Sequence, residues 1–339
     1  MTLAATAGAA AYPEPYDEVQ PVPLVTGQRT AVDSLSLTLK SVLEAYGRHT
    51  DYDTVACVTG NAFAPAVDKR IACGSFWHLQ APMSTKGLVT AGKVLGFSVE
   101  PVAPATDPQA PELVRKALLK GEKVIADGGW NVPEFRGTAG QITSVADDGS
   151  LTGTPAFSVS EAVVAEPIDF WILSPSTATL SSWTANHEII HMAVDRINGN
   201  AVYQGCENCR FGVNAIDAMI ERMQTVEGFC APCQESSQNG WMCAADTLRM
   251  IDANAVISAR VLRQMVKTAP AKAQRGLRRA AGYYTRISLI VKPRLKEEVL
   301  RPIMGDLERQ RQFAEHVMVP IRKDLSGAGR YLQTVLDNT

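Results

Sequence analysis

The sequence predicts an α+β fold, with a mixed N-terminal domain followed by an all-α C-terminal domain. Two patterns carry this expectation. Between residues 30 and 178, helix-period segments precede most of the strand candidates, an order that segregates helices from an antiparallel sheet. From Trp183 onward, helical periodicity dominates to the end of the chain. A length of 339 residues suffices for two domains, and 46% hydrophobic with 20% charged residues is a globular composition with a sizeable core. The expected division is an extended lead over 1–29, a mixed domain over 30–178 and a helical, cysteine-rich domain over 179–339.

The lead is Ala-rich and then Pro-rich through Pro23, and it lacks the basic and apolar regions of a signal peptide. The first helix is expected from Asp33 to Gly47. Leu35, Leu39, Val42, Leu43 and Tyr46 share one face, Asp33 or Ser34 can cap the start, and Gly47 can stop the end. Residues 50–80 read as mixed and turn-rich. A helix follows over 84–96, then an alternating strand from Phe97 to Val102, then a helix over 111–120 closed by Gly121. Strands are expected at Lys123–Trp130, Gly140–Ala146 and Asp169–Leu173, with Asp147-Asp148-Gly149 turning the second into Leu151–Thr154. Helices are expected at roughly 184–198, 211–226, 243–268, 271–290, 294–312 and 314–336.

Composition narrows the function classes. A net charge of -2 points away from nucleic acid, and no apolar run reaches the length of a membrane span. The seven cysteines are odd in number, and five lie between Cys206 and Cys243, which does not resemble a secreted disulfide scaffold. A cytoplasmic, reducing location is the expectation.

The strongest chemical signal is Cys206-Glu-Asn-Cys209 and Cys230-Ala-Pro-Cys233. Thiolates two residues apart on a tight turn can face one metal, and two such turns supply four ligands for zinc or a [4Fe-4S] cluster. The helix expected between them would span roughly 22 Å, so a loop must bring its ends together. Disulfides are the competing reading, since Cys-Ala-Pro-Cys is similar to a thioredoxin-type motif, and buried inert thiols are the third. Cys243 is a spare ligand candidate, while Cys57 and Cys73 read as small core residues.

His187-Glu188-Ile189-Ile190-His191 puts two histidines on one helix face with a Glu beside the first, as in zinc-dependent hydrolases. Asp217 is the candidate third ligand, and His316 is the sole histidine further downstream. His187 and His191 can instead join the cysteines in a non-catalytic metal site, or serve only in packing and on the surface. The third signal is charge. From Ala253 to Lys296 there are eleven Lys or Arg and no Asp or Glu, a basic face over 260–296 that suits an acidic protein partner or is simply solvated.

Short motifs in the first half carry a resemblance. Leu-Glu-Ala-Tyr-Gly (43–47), Val-Thr-Gly-Asn-Ala-Phe (58–63), Lys-Val-Leu-Gly-Phe (93–97), Gly-Glu-Lys-Val-Ile-Ala (121–126), Pro133-Glu134 and Gly-Gln-Ile-Thr-Ser-Val-Ala-Asp-Asp-Gly (140–149) occur in order. Together they resemble the family named after the N-terminal domain of the butirosin biosynthesis protein BtrH. Gly-Val-Asn-Ala-Ile-Asp-Ala-Met (212–219) and Arg-Val-Leu-Arg-Gln-Met (260–265) are similar to the helical tail that follows that domain.

The resemblance implies a papain-like, bacteriocin-peptidase-like N-terminal domain. In such folds a nucleophilic Cys sits at a helix N-terminus, where the dipole lowers the thiol's pKa. Here that position holds Ser34, and the position where the family often carries His or an aromatic holds Thr138 or Ala139. The implied protein is catalytically degenerate. It would serve as an accessory or assembly subunit with a Cys-rich metal site, and its oligomeric state is left open. The alternatives are an acyltransferase or amide hydrolase using Ser34, with His49 or His78 as the base, and a zinc hydrolase built on His187, Glu188 and His191.

Overall fold

Asp33 opens the described part of the chain by capping α1 (Ser34–Ala45), its carboxylate accepting the Ser36 N–H at 2.7 Å. The computed structural model describes residues 33–68, 85–103, 107–132, 138–158, 160–165, 170–176, 180, 182–200, 209–225, 241–304 and 306–339. After α1 come α2 (Tyr52–Val58), a 3-10 turn (Asn61–Phe63) and β1 (Ala66–Asp68). Next are α3 (Thr85–Leu95), β2 (Phe97–Val102), α4 (Ala110–Leu119), β3 (Lys123–Asp127), β4 (Ala139–Val145), β5 (Leu151–Pro155), β6 (Ala162–Val163) and β7 (Phe170–Pro175). The C-terminal half contains α5 (Ser182–Ile197), β8 (Cys209–Phe211), α6 (Gly212–Met223), α7 (Trp241–Val266) and α8 (Ala271–Val291). It closes with α9 (Glu297–Met304), α10 (Leu307–Phe313), a π turn (Ala314–Met318) and α11 (Val319–Asp337).

Strands β2 to β7 form one antiparallel sheet in the order β2-β7-β3-β4-β5-β6. The last strand of the sheet is thus inserted between the first two, pairing Leu173 with both Val99 and Lys123. Both faces of its centre are covered. Ile125, Trp171 and Leu173 point to one side, into a cluster with Leu39 and Leu43 of α1. Val124, Ala126, Phe170 and Ile172 point to the other, onto Val114 and Ala117 of α4. Double burial explains why Phe-Trp-Ile-Leu is a run rather than an alternation. Tyr46 pins α1 to the seam between β3 and β7, donating its hydroxyl to Leu173 O and accepting the Lys123 N–H at 2.9 Å.

The α+β class is as expected, and the sheet ends at Pro175 shortly before α5 begins at Ser182. The cluster that includes α1 and α2 nonetheless continues into α5 and α6 to α11. Side-chain bonds cross the join: Asn254 Nδ2 donates to Asn61 O at 3.2 Å, Ser258 Oγ to Ala62 O at 2.8 Å and Tyr284 Oη to Phe63 O at 2.6 Å. The helical half therefore packs directly on the backbone of the 3-10 turn. No described helix is long and apolar enough to cross a membrane.

Candidate functional site

The helix start singled out by its sequence lies beneath the sheet. Ser34, the first residue of α1, is fully buried, and its Oγ accepts the Ala139 N–H at 3.0 Å. Its carbonyl accepts from Thr38 Oγ1 at 2.8 Å. Ala139 opens β4, and the carbonyl of the preceding Thr138, itself buried, accepts from the Trp130 indole at 2.8 Å. The two positions of the expected nucleophile and base are therefore neighbours, and they hold a hydroxyl and a backbone amide. A serine nucleophile needs a base that can take its proton. The one described partner of the Ser34 hydroxyl is a donor, so the oxygen is held as an acceptor. His49 is exposed, and His78 lies outside the described residues.

Beside Ser34 sits a cluster of buried polar groups. Asp33 is 3% exposed; besides the Ser36 amide, its carboxylate accepts from Asn61 Nδ2 at 3.1 Å and from the Tyr52 hydroxyl at 3.1 Å. The Tyr52 oxygen in turn accepts the Asp33 N–H at 2.8 Å. Burial pushes the Asp33 carboxyl above its ordinary range, against the lowering effect of these bonds, and pushes the Tyr52 phenol well up. Arg196 of α5 completes the cluster. Burial pulls its guanidinium down to about 10 while the Asp33 charge acts in the opposite direction, and it lies 5.0 Å over the Phe211 ring. Asp33 was legible as a helix cap, and Asn61 lies in the Val-Thr-Gly-Asn-Ala-Phe stretch. Arg196 gave no signal, because a single arginine on a helix looks solvated until its neighbours are known.

This cluster makes a pH prediction. The native state holds the Asp33 proton more tightly than the unfolded chain, whose value is near 3.8. The associated stabilisation is present below that value and is lost as pH rises through the raised native value. Asp33→Asn keeps an acceptor for the Ser36 amide and removes the titration. Urea unfolding between about pH 4 and pH 7 should show wild-type stability falling relative to the variant as pH rises. Parallel curves for the two proteins would exclude a raised Asp33.

The cysteine and histidine candidates are only partly brought into view. Cys209, in β8, is buried and disulfide-bonded. Cys206, Cys230 and Cys233, with Cys73, lie outside the described residues, as does the side chain of Cys243 at the start of α7. A sulfur already bonded to sulfur is not a thiolate ligand, so in this state Cys209 offers nothing to a metal. Cys57 is a free, buried thiol pushed well up by burial and by Asp53, a core residue as expected.

On α5, His187 is half-buried and His191 exposed, their rings edge to face with centroids 6.4 Å apart. Asp217, the expected third ligand, is instead ion-paired with Arg322 of α11. Among the described residues, no group of three His, Cys, Asp or Glu side chains is placed to hold a metal ion.

The basic face is narrower than the sequence suggested. Arg260 pairs with the buried Asp53, Arg263 donates to Thr285 Oγ1 at 2.6 Å, and Arg294 bonds the Ile290 carbonyl. The exposed cations are Lys267, Lys272, Arg275, Arg278 and Arg279 around the first half of α8, with Arg286, Lys292 and Lys296 further along. No protein-family model matches the chain, and no curated protein matches it in sequence.

Proposed function

We propose that this protein is a catalytically degenerate papain-like protein that works as an accessory or assembly subunit. The observation that carries the reading is the buried Ser34 hydroxyl, held as an acceptor by the Ala139 amide at the two positions where a nucleophile and its base would meet. A helix over an antiparallel sheet with its N-terminus under a strand start agrees with the BtrH-like resemblance. The same observation weighs against an acyltransferase or amide hydrolase using Ser34. The engagement of Asp217 by Arg322 weighs against a zinc hydrolase using His187, Glu188 and His191.

The test is labelling of the purified protein with thioester and activated-ester acyl probes. Neither wild type nor Ser34→Ala should be labelled at residue 34. Stoichiometric labelling of wild type that disappears in Ser34→Ala would overturn the reading. Ser34→Ala should also lose about 1–3 kcal/mol of stability, because it leaves the Ala139 amide buried without an acceptor; chemical denaturation measures this directly.

For the Cys206–Cys243 segment, the Cys209 disulfide favours paired cysteines over a metal site. It also favours an oxidising compartment, or a thiol pair that responds to redox state, over a constitutively reduced cytoplasmic protein. Zinc or a [4Fe-4S] cluster on Cys206, Cys209, Cys230 and Cys233 remains the alternative proposal, and it needs Cys209 reduced. Alkylation without reduction, read by mass spectrometry on anaerobically purified protein, separates the two. A blocked Cys209 in metal-free protein is expected. Four alkylatable cysteines released on chelation would establish the metal site instead.

A further inference from the structure

The outer face of α8 carries an arginine-lined groove. Arg275, Arg278, Arg279, Tyr283 and Arg286 surround Gly282 and border an open concavity of about 430 Å³. A side chain at Gly282 would meet nothing within 4 Å, so the glycine leaves the middle of the groove vacant. Arg286 is fixed: its Nε donates to Asp324 at 3.1 Å, a second bond joins the same carboxylate, and its guanidinium lies 4.4 Å over the Tyr283 ring. Tyr283 rests in turn against Tyr331, with centroids 5.8 Å apart. By contrast, the side chains of Arg275 and Arg279 make no hydrogen bond or ion pair with any described residue, and Arg278 has a neutral partner, Gln274. One end of the groove is thus a rigid Arg-Tyr-Tyr stack, and the other presents three uncompensated guanidinium groups. One turn beyond Arg286, Leu289 is 60% exposed, a rare state for a large apolar side chain here.

We propose that this face docks an acidic amphipathic helix of a protein partner. The inference rests on the accessory-subunit reading and names the chemistry of its partner. Arg275 and Arg279 lie one turn apart on one side of α8, the spacing of carboxylates at i and i+4 on a facing helix, and the Arg286–Asp324 pair closes the same side about 16 Å from Arg275. Arg, Tyr and an exposed Leu in one patch is the residue mixture of a protein interface, with guanidinium forks matched to carboxylates. The overall charge of -2, and the pairing of Arg286 with Asp324, oppose a phosphate backbone, which needs an extended cationic track.

The test uses the full-length protein and a fluorescein-labelled 20-residue helical peptide with Glu at that spacing and one Leu a turn beyond. A scrambled peptide of the same composition and a 20-nucleotide oligothymidine are the comparison probes. Anisotropy should show that the patterned peptide binds more tightly than either. Its affinity should fall about tenfold or more in Arg275→Glu/Arg279→Glu, and should weaken as salt rises. Gly282→Leu, which fills the groove at constant charge, should also weaken binding, whereas Lys120→Glu, on the sheet side, should not. Tighter binding of the oligothymidine would overturn the proposal in favour of a nucleic acid. Equal binding of the scrambled peptide, or no loss in the arginine variant, would overturn it outright. These outcomes leave the Ser34 reading standing, and acyl labelling at Ser34 would leave the groove untouched.

Discussion

Arg260→Met is expected to destabilise the protein by about 3–5 kcal/mol, the cost of removing one member of a buried ion pair. Its partner, Asp53, has a side chain only 4% exposed in the first turn of α2, and Arg260 is itself 18% exposed on α7. Removing the guanidinium leaves the carboxylate in the seam between the two helices, where water cannot replace the lost charge. The pair as a whole is worth much less than either half suggests, because ionising both groups away from water is itself costly. The double variant Asp53→Asn/Arg260→Met should therefore recover much of the loss. Urea unfolding of wild type, both single variants and the double variant measures the coupling. A loss under about 1 kcal/mol for Arg260→Met would mean that water reaches Asp53.

Gly212→Ala is expected to cost about 3 kcal/mol or more, combining backbone strain with a clash that the neighbours cannot relieve. Gly212 joins β8 to α6 at φ +58°, in the left-handed region, and its amide donates to Pro65 O at 2.8 Å. An added Cβ would lie 2.1 Å from Ile197 O and 2.4 Å from Arg196 O, both backbone atoms at the end of α5. Relief would require β8, which carries Cys209, to move away from α5, which carries Arg196. The same substitution at Gly282, with open space around it, should change stability little or raise it slightly, since alanine favours the helix. Thermal unfolding of the two variants side by side tests the contrast. Equal stabilities would show that the junction is not tightly held.

Much of the local structure was legible. The strand at Phe97–Val102 has the bounds its alternation predicts, and α1, α3, α4 and α5 to α8 lie within a few residues of their expected ranges. Their signals are local: an apolar face at helical spacing, a cap such as Asp33, or a stop such as Gly96 or Gly121. The misses are equally instructive. α2 was hidden in a stretch read as turn-rich, because at seven residues it is too short to show a period, and most of it is buried. β1 and β8 each have three residues and are strands only because they pair with one another. The last expected helices proved to be α9, α10 and α11, the latter two joined by a π turn, with Pro302 inside α9.

The site divides along the same line. By itself, the sequence determined the α+β class, the helix that begins at Ser34, a serine rather than a cysteine at that helix start, and the basic run around α8. Periodicity and capping are written in neighbouring residues, so one chain is enough to read them. Only the tertiary structure decided that β7 inserts between β2 and β3, and that Ser34 Oγ meets the Ala139 amide. It also decided that Arg196 is buried within reach of the Asp33 charge, and that Arg260 is consumed by Asp53 while Arg275 and Arg279 remain available. An amphipathic pattern states which face of an element must be covered but not by what, and a charge is spent or free only by virtue of contacts between residues far apart in the chain.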